Sequence, residues 1–206
     1  MFPKSLQSVF NQRVEFSVGQ CPPPSEGVET SVYLLLSGCL ILVSRKGAAS
    51  GVSWPGDLVM VPSSVDGTPM ILRAVAESVC LRGSLSALLE EAAGDQEAIR
   101  WIWRQFERRE AELHRRVELL SGESVDRRVL LTIADLADRS RLASPGSHIP
   151  LAQNEVADLA GATRETTSTL LNRMRRRGMV ELGRRHIMVS APDSLRLLDK
   201  LVEVET

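Results

Sequence analysis

The chain has 206 residues, 43% hydrophobic and 25% charged, which is the usage of a globular protein with room for one medium domain or two small ones and excludes whole-chain disorder. Its 25 Lys and Arg nearly cancel 26 Asp and Glu, so a net charge of -1 excludes a general polycation and confines any nucleic-acid function to a local patch. Apolar runs such as Val32 to Leu36 fall far short of the ~20 residues of a membrane span, and the opening MFPKSLQSVFNQ has no signal core, so a cytoplasmic protein without a membrane partner is expected.

From Phe16 to about Cys80, Gly and Pro interrupt short runs rich in Val, Leu and Ile, the punctuation of a small all-β unit. SVYLLLSGCLILVSRKG reads as two strands turning near Ser37 and Gly38, and WPGDLVMV as a turn at Pro55, Gly56 and Asp57 entering another strand. Pro22 to Pro24 reads as a loop. Cys21, Cys39 and Cys80 are odd in number and widely spaced, so no disulfide framework and no four-cysteine metal or cluster site is expected.

Ser84 to Ala93 then reads as a short apolar helix and Asp95 to Leu120 as a long one without Gly or Pro. Ile99, Phe106, Leu113 and Leu120 recur every seven positions, with Ile102, Trp103 and Val117 widening the stripe, so these residues are the expected seam of a homodimer; packing on the β unit is the alternative, and Arg109 and Glu110 interrupt the stripe. Trp101 and Trp103 could also line a pocket against the β unit, with core packing expected for Trp103. After a polar break at Ser121, Gly122 and Ser124, Val125 to Arg139 is a further helix, and Ser140 to His148 a loop. These boundaries divide the chain into residues 1–94, the β unit; 95–121, the pairing helix; and 122–206, a compact carboxy-terminal domain.

That last domain carries the chemistry. Gln153 to Ala160 is a short helix ending at Gly161, and Thr163 supplies a hydroxyl cap for a second helix running to about Arg177. This is helix-turn-helix spacing, with Val156, Leu159, Leu170, Leu171 and Met174 on the buried faces and Ala157 small where the helices meet. The second helix exposes Arg164, Glu165, Ser168 and Thr169, side chains suited to base edges in a major groove: Arg to guanine O6 and N7, Glu to the cytosine amino group. Thr163 to His186 holds seven Arg against two Glu, a local net of +5 that leaves -6 on the remainder. Thr163, Asn172, Arg175, Arg176, Arg177, Arg184 and Arg185 are accordingly the expected phosphate contacts. Met179 to Leu182 and His186 to Val189 read as two strands of a β wing joined through Gly183, Arg184 and Arg185.

The run AGATRETTSTLLNRMRRRGMVELGRRHIMV, preceded by PLAQNEVADL, resembles the winged helix-turn-helix of the CRP/FNR superfamily of bacterial transcription regulators. The resemblance extends back through the Gly56-Asp57 turn and the long helix, and it implies an α+β chain: an amino-terminal β-roll sensor like a cyclic-nucleotide-binding domain, a dimerisation helix and the winged domain. It implies that Arg164 and Glu165 contact a guanine and its paired cytosine and that Ser168 contacts a base. Thr169 stands where the family usually has Arg, so one guanine contact is lost; Ala152 replaces the usual hydroxyl cap, and Thr167 a buried Val or Ile.

The resemblance further implies double-stranded DNA, a second copy and RNA polymerase as partners. Receptors of this family that bind cyclic nucleotides hold ribose with Glu and phosphate with Arg shortly after the Gly-Asp turn. Here no Glu lies between Asp57 and Glu77, and the phosphate Arg position falls near Thr68 or Pro69, with Arg73 as a displaced substitute. The β unit has no His for haem, so the reading is a regulator independent of cyclic nucleotide, with no cofactor, no metal and an unidentified effector. His114, His148 and His186 sit in separate elements with no metal-spaced acidic cluster, so an enzyme acting on DNA is not expected. The remaining rival is an adaptor whose basic face docks an acidic partner.

Overall fold

The computed structural model describes residues 2–22, 30–44, 47–61, 71–143 and 147–190. It comprises two compact units, residues 1–114 and 115–206. The stretch in which a cyclic-nucleotide phosphate ligand was sought, 62–70, lies outside the described residues, as do Pro23 and Pro24.

In the first unit a 3-10 turn at Lys4–Gln7 precedes seven strands: Gln12–Phe16 (β1), Ser31–Ser37 (β2), Leu40–Val43 (β3), Ala49–Ser53 (β4), Leu58–Val61 (β5), Ile71–Ala74 (β6) and Ser78–Ser84 (β7). They form a four-stranded sheet ordered β1-β7-β2-β5 and a three-stranded sheet ordered β4-β3-β6, antiparallel throughout. The expected turn at Ser37 and Gly38 exists but closes no hairpin, because it hands the chain from the first sheet to the second. Gly38 has φ +91°, and a Cβ there would collide with the Glu77 carbonyl oxygen, so no side chain fits.

Alternation along β2 builds two cores. Val32 and Leu34 join Leu6, Val9, Phe10, Leu88, Ala92 and Ala98. Tyr33 and Leu35 face Phe16, Leu40, Val59, Leu72, Ala74 and Cys80. Burial on both faces explains why this strand reads as an unbroken apolar run.

Helix Leu85–Ala92 (α1) starts at Ser84, whose hydroxyl accepts from the Ala87 amide. Helix Gln96–Gly122 (α2) starts at Asp95, whose Oδ1 accepts from the Glu97 and Ala98 amides at 2.8 and 3.3 Å. The expected break at Ser121 and Gly122 comes later, since both residues remain helical. Gln105 ties this helix to the unit's sheet: its Oε1 accepts from the Leu58 amide at 3.2 Å and its Nε2 donates to the Gly56 carbonyl at 3.4 Å.

The expected seam divides. Ile99, Trp103, Phe106, Leu113, Val117 and Leu120 are exposed, whereas Ile102 packs on the first unit's own core. The two tryptophans exchange the roles expected of them. Trp101 is the core residue, edge-on to Phe2 at 5.2 Å, while Trp103 is 63% exposed and its indole N–H donates to Glu107. Helical phase sets this outcome, because two positions turn a side chain by about 200°. Arg109 does not interrupt the stripe, for its guanidinium lies against Gly51 on β4 and pairs with Glu112 at 3.0 Å.

In the second unit α2 ends and Val125–Ala143 (α3) follows, then His148–Ile149 (β8), Gln153–Ala160 (α4), Arg164–Arg176 (α5), Val180–Leu182 (β9) and Ile187–Val189 (β10). Helix α3 runs one turn past the expected end at Arg139, and the Ser140 hydroxyl donates to the His148 carbonyl at 2.8 Å. Val129, Leu130, Ile133 and Ala137 of α3 are buried, as are Val156, Ala157 and Ala160 of α4 and Leu170, Leu171 and Met174 of α5. No described helix is long and apolar enough to cross a membrane.

Candidate nucleic-acid interface

The interface is built on the α4–α5 corner. Gly161 adopts the left-handed conformation (φ 59°, ψ 40°) that ends α4, and the Ala162 amide donates back to the Ala157 carbonyl at 2.9 Å. Thr163 caps α5, its Oγ1 accepting from the Thr166 amide at 3.2 Å. Ala152 has no oxygen with which to cap α4. The start of that helix is instead held by Glu155, whose Oε2 accepts from the Ala152 amide at 2.7 Å, one half of a capping box.

Two arginines absent from the sequence reading of the site fix this corner. Arg128 on α3 donates from Nε to the Ala160 carbonyl at 3.1 Å and from Nη2 to the Gly161 carbonyl at 2.8 Å. Arg116 on α2 donates to the Asp158 carbonyl at 3.0 Å. Both place a cation at the negative end of α4. Their acceptors are backbone carbonyls more than thirty residues away, so no residue pattern announces them.

The outer face of α5 presents Arg164, Glu165 and Thr169 to solvent, with Ser168 half-buried beside them. Asn172 donates to the Ser168 carbonyl at 2.9 Å and so steadies that face. The Glu165 carboxyl is held below the ordinary carboxylate range by its own backbone N–H, by the Thr163 hydroxyl and by Arg164. It therefore stays ionised at neutral pH, as an acceptor. Glu165, Thr166, Thr169, Leu170 and Arg173 of α5 and Asp126 of α3 line a concavity of about 280 Å³. Arg173, Arg175, Arg176 and Arg177 are exposed along the rest of the helix.

The wing is a three-stranded antiparallel sheet ordered β8-β10-β9, one strand more than the two read from sequence. The His148 strand was read as loop because it is two residues long and pairs with β10 about forty positions on. The Gly183 amide donates to the His186 carbonyl at 2.9 Å, closing a tight turn with Arg184 and Arg185 at its tip. The rings of His148 and His186 lie 5.2 Å apart, and burial together with His186 lowers the His148 pKa below 6.5. Arg184 is exposed; Arg185 reaches back to Glu155, Nη2 to Oε1 3.2 Å. Among the described residues no group of three or more His, Cys, Asp or Glu could hold a metal ion.

A capped two-helix corner, a third helix behind it and a β hairpin beside it define a winged helix-turn-helix. Residues 127–198 match the family described as the Crp-like helix-turn-helix domain. FixK2 from Bradyrhizobium japonicum is 20% identical over 91% of this chain and 96% of its own, with TM-score 0.72. A CRP/FNR-family transcriptional regulator from Thermus thermophilus is 19% identical over 92% of this chain and 98% of its own, with TM-score 0.66. The c-di-GMP-responsive global regulator CLP from Xanthomonas campestris is 18% identical over 90% and 97%, with TM-score 0.67. No curated protein matches the chain significantly. The chain thus has the fold of the CRP/FNR transcription regulators and carries their Crp-like helix-turn-helix domain.

Proposed function

We propose that this protein is a cytoplasmic, homodimeric transcription regulator that binds a palindromic DNA site. The carrying observation is the solvent-facing amino-terminal half of α5, where Arg164, Glu165, Ser168 and Thr169 stand on a corner held by Thr163, Glu155 and Arg128. These four side chains read bases, and Thr163, Asn172, Arg175, Arg176, Arg177 and Arg184 serve phosphates at the margins. Pairing rests on α2, whose exposed Ile99, Trp103, Phe106, Leu113, Val117 and Leu120 form an apolar stripe that a second copy would cover. A two-fold dimer presents two α5 helices about 34 Å apart, one turn of B-DNA. Binding needs no cyclic nucleotide, and RNA polymerase is the downstream partner.

The test is competition among duplexes of equal charge by wild-type and Arg164→Ala protein. The variant should lose about 1–3 kcal/mol of discrimination at one base pair of each half-site. Equal weakening on every duplex would refute base reading and favour the adaptor that docks an acidic protein.

A further inference from the structure

We propose that Arg185 is a positioning residue that fastens the wing to the amino-terminal end of α4 through Glu155, leaving Arg184 as the phosphate contact at the wing tip. The inference rests on the DNA-binding reading above. Its basis is a buried carboxylate with both oxygens engaged: the Glu155 side chain is 3% exposed, Oε2 accepts from the Ala152 amide at 2.7 Å, and Oε1 lies 3.2 Å from Arg185 Nη2. A charge so enclosed depends on its partner, because removing the cation leaves an uncompensated buried anion. Ala152 makes the dependence sharper, since with no hydroxyl at that position the start of α4 relies on the same carboxylate.

Holding Arg185 also holds its neighbour. The Gly183 amide closes the turn on the His186 carbonyl, and the His186 ring lies so close over Gly183 that a Cβ there would collide with it. The hairpin therefore moves as one piece. Arg184 is exposed and has no partner among the described residues, so its guanidinium is available to DNA. The two adjacent arginines, equivalent in sequence, divide the work.

Two readouts separate the roles. Salt dependence of binding is measured for wild-type, Arg184→Ala, Arg185→Ala, Arg185→Lys, Glu155→Gln and the Arg185→Ala/Glu155→Gln double variant. Loss of a phosphate contact lowers the slope of log K against log salt by about 0.9, and this is expected for Arg184→Ala alone. Arg185→Ala should weaken binding about tenfold at unchanged slope, Glu155→Gln similarly, and the double variant no further, as coupled partners behave. Arg185→Lys should recover part of the loss. Amide hydrogen exchange of Val180–Val189 in the full chain without DNA should rise in both single variants and no further in the double. A lowered slope for Arg185→Ala, additive losses, or unchanged wing exchange would each overturn the proposal. If the wild-type chain binds no duplex, the DNA reading and the role of Arg184 fall together, while exchange still decides whether Arg185 fastens the wing.

Discussion

Thr167→Val is expected to stabilise the second unit. Thr167 is fully buried on the inner face of α5, and its hydroxyl has no hydrogen-bond partner among the described residues. A buried hydroxyl left unpaired costs about 1–3 kcal/mol. Valine keeps the β-branched shape and has nearly the same helix propensity, so removing the hydroxyl should stabilise the unit by about 1–2 kcal/mol. In a unit of this length that corresponds to a melting point higher by roughly 4–8 °C per kcal/mol. All three tryptophans lie in the first unit, so tryptophan fluorescence does not follow the second. Hydrogen exchange of the Leu170 and Leu171 amides does, and a gain of about 1.4 kcal/mol slows it about tenfold where exchange follows the opening equilibrium. Thr167→Ser separates methyl from hydroxyl and should destabilise, because it keeps the unpaired oxygen and loses packing. A valine variant less protected than wild type would show that the hydroxyl is satisfied and refute the reasoning.

Val117→Glu places a charge in the exposed α2 stripe and should raise the dimer dissociation constant by on the order of a hundredfold, since each two-fold dimer contains the site twice; sedimentation equilibrium reads this, and an unchanged dimer would exclude the α2 seam. Burial pushes the Cys80 thiol up to about 12, and Cys39 is fully buried, whereas Cys21 is exposed. A thiol reagent at a pH of about 8 should therefore modify one cysteine in the native chain and three after denaturation; three fast thiols would contradict the packing of the second core. The lowered pKa of His148 means that the folded state holds it neutral while the unfolded chain takes up a proton near pH 6.5. Its contribution is complete above that pH and is lost as pH falls through the folded value. Urea midpoints should thus drop between about pH 7.5 and 5.5, and less so for His148→Gln; equal slopes for the two proteins would assign the effect to other groups.

The sequence made legible whatever depends on local pattern. Thr163 and Gly161 bracket a helix-turn-helix because a hydroxyl cap and a left-handed glycine have few other uses at that spacing. The α2 stripe is visible through its heptad period. What escaped depends on long-range pairing. Two strands taken as neighbours across Gly38 belong to different sheets, because β2 finds β7 and β5 while β3 finds β4 and β6. Trp101 and Trp103 looked alike until the phase of α2 against its unit decided between them. At the candidate site, the exposed row from Arg164 to Thr169 follows from helical period, whereas Arg128 and the Arg185–Glu155 pair act on partners thirty or more residues away.

The most direct test of the account is selection of binding sites from a random duplex pool by the purified, ligand-free chain, repeated with cyclic AMP and at two salt concentrations. The account predicts one palindrome, recovered without ligand and at both salts, with half-sites about one helical turn apart. Recovery only with cyclic AMP would contradict the nucleotide-independent reading, and charge-driven binding without any consensus would contradict sequence-specific regulation itself.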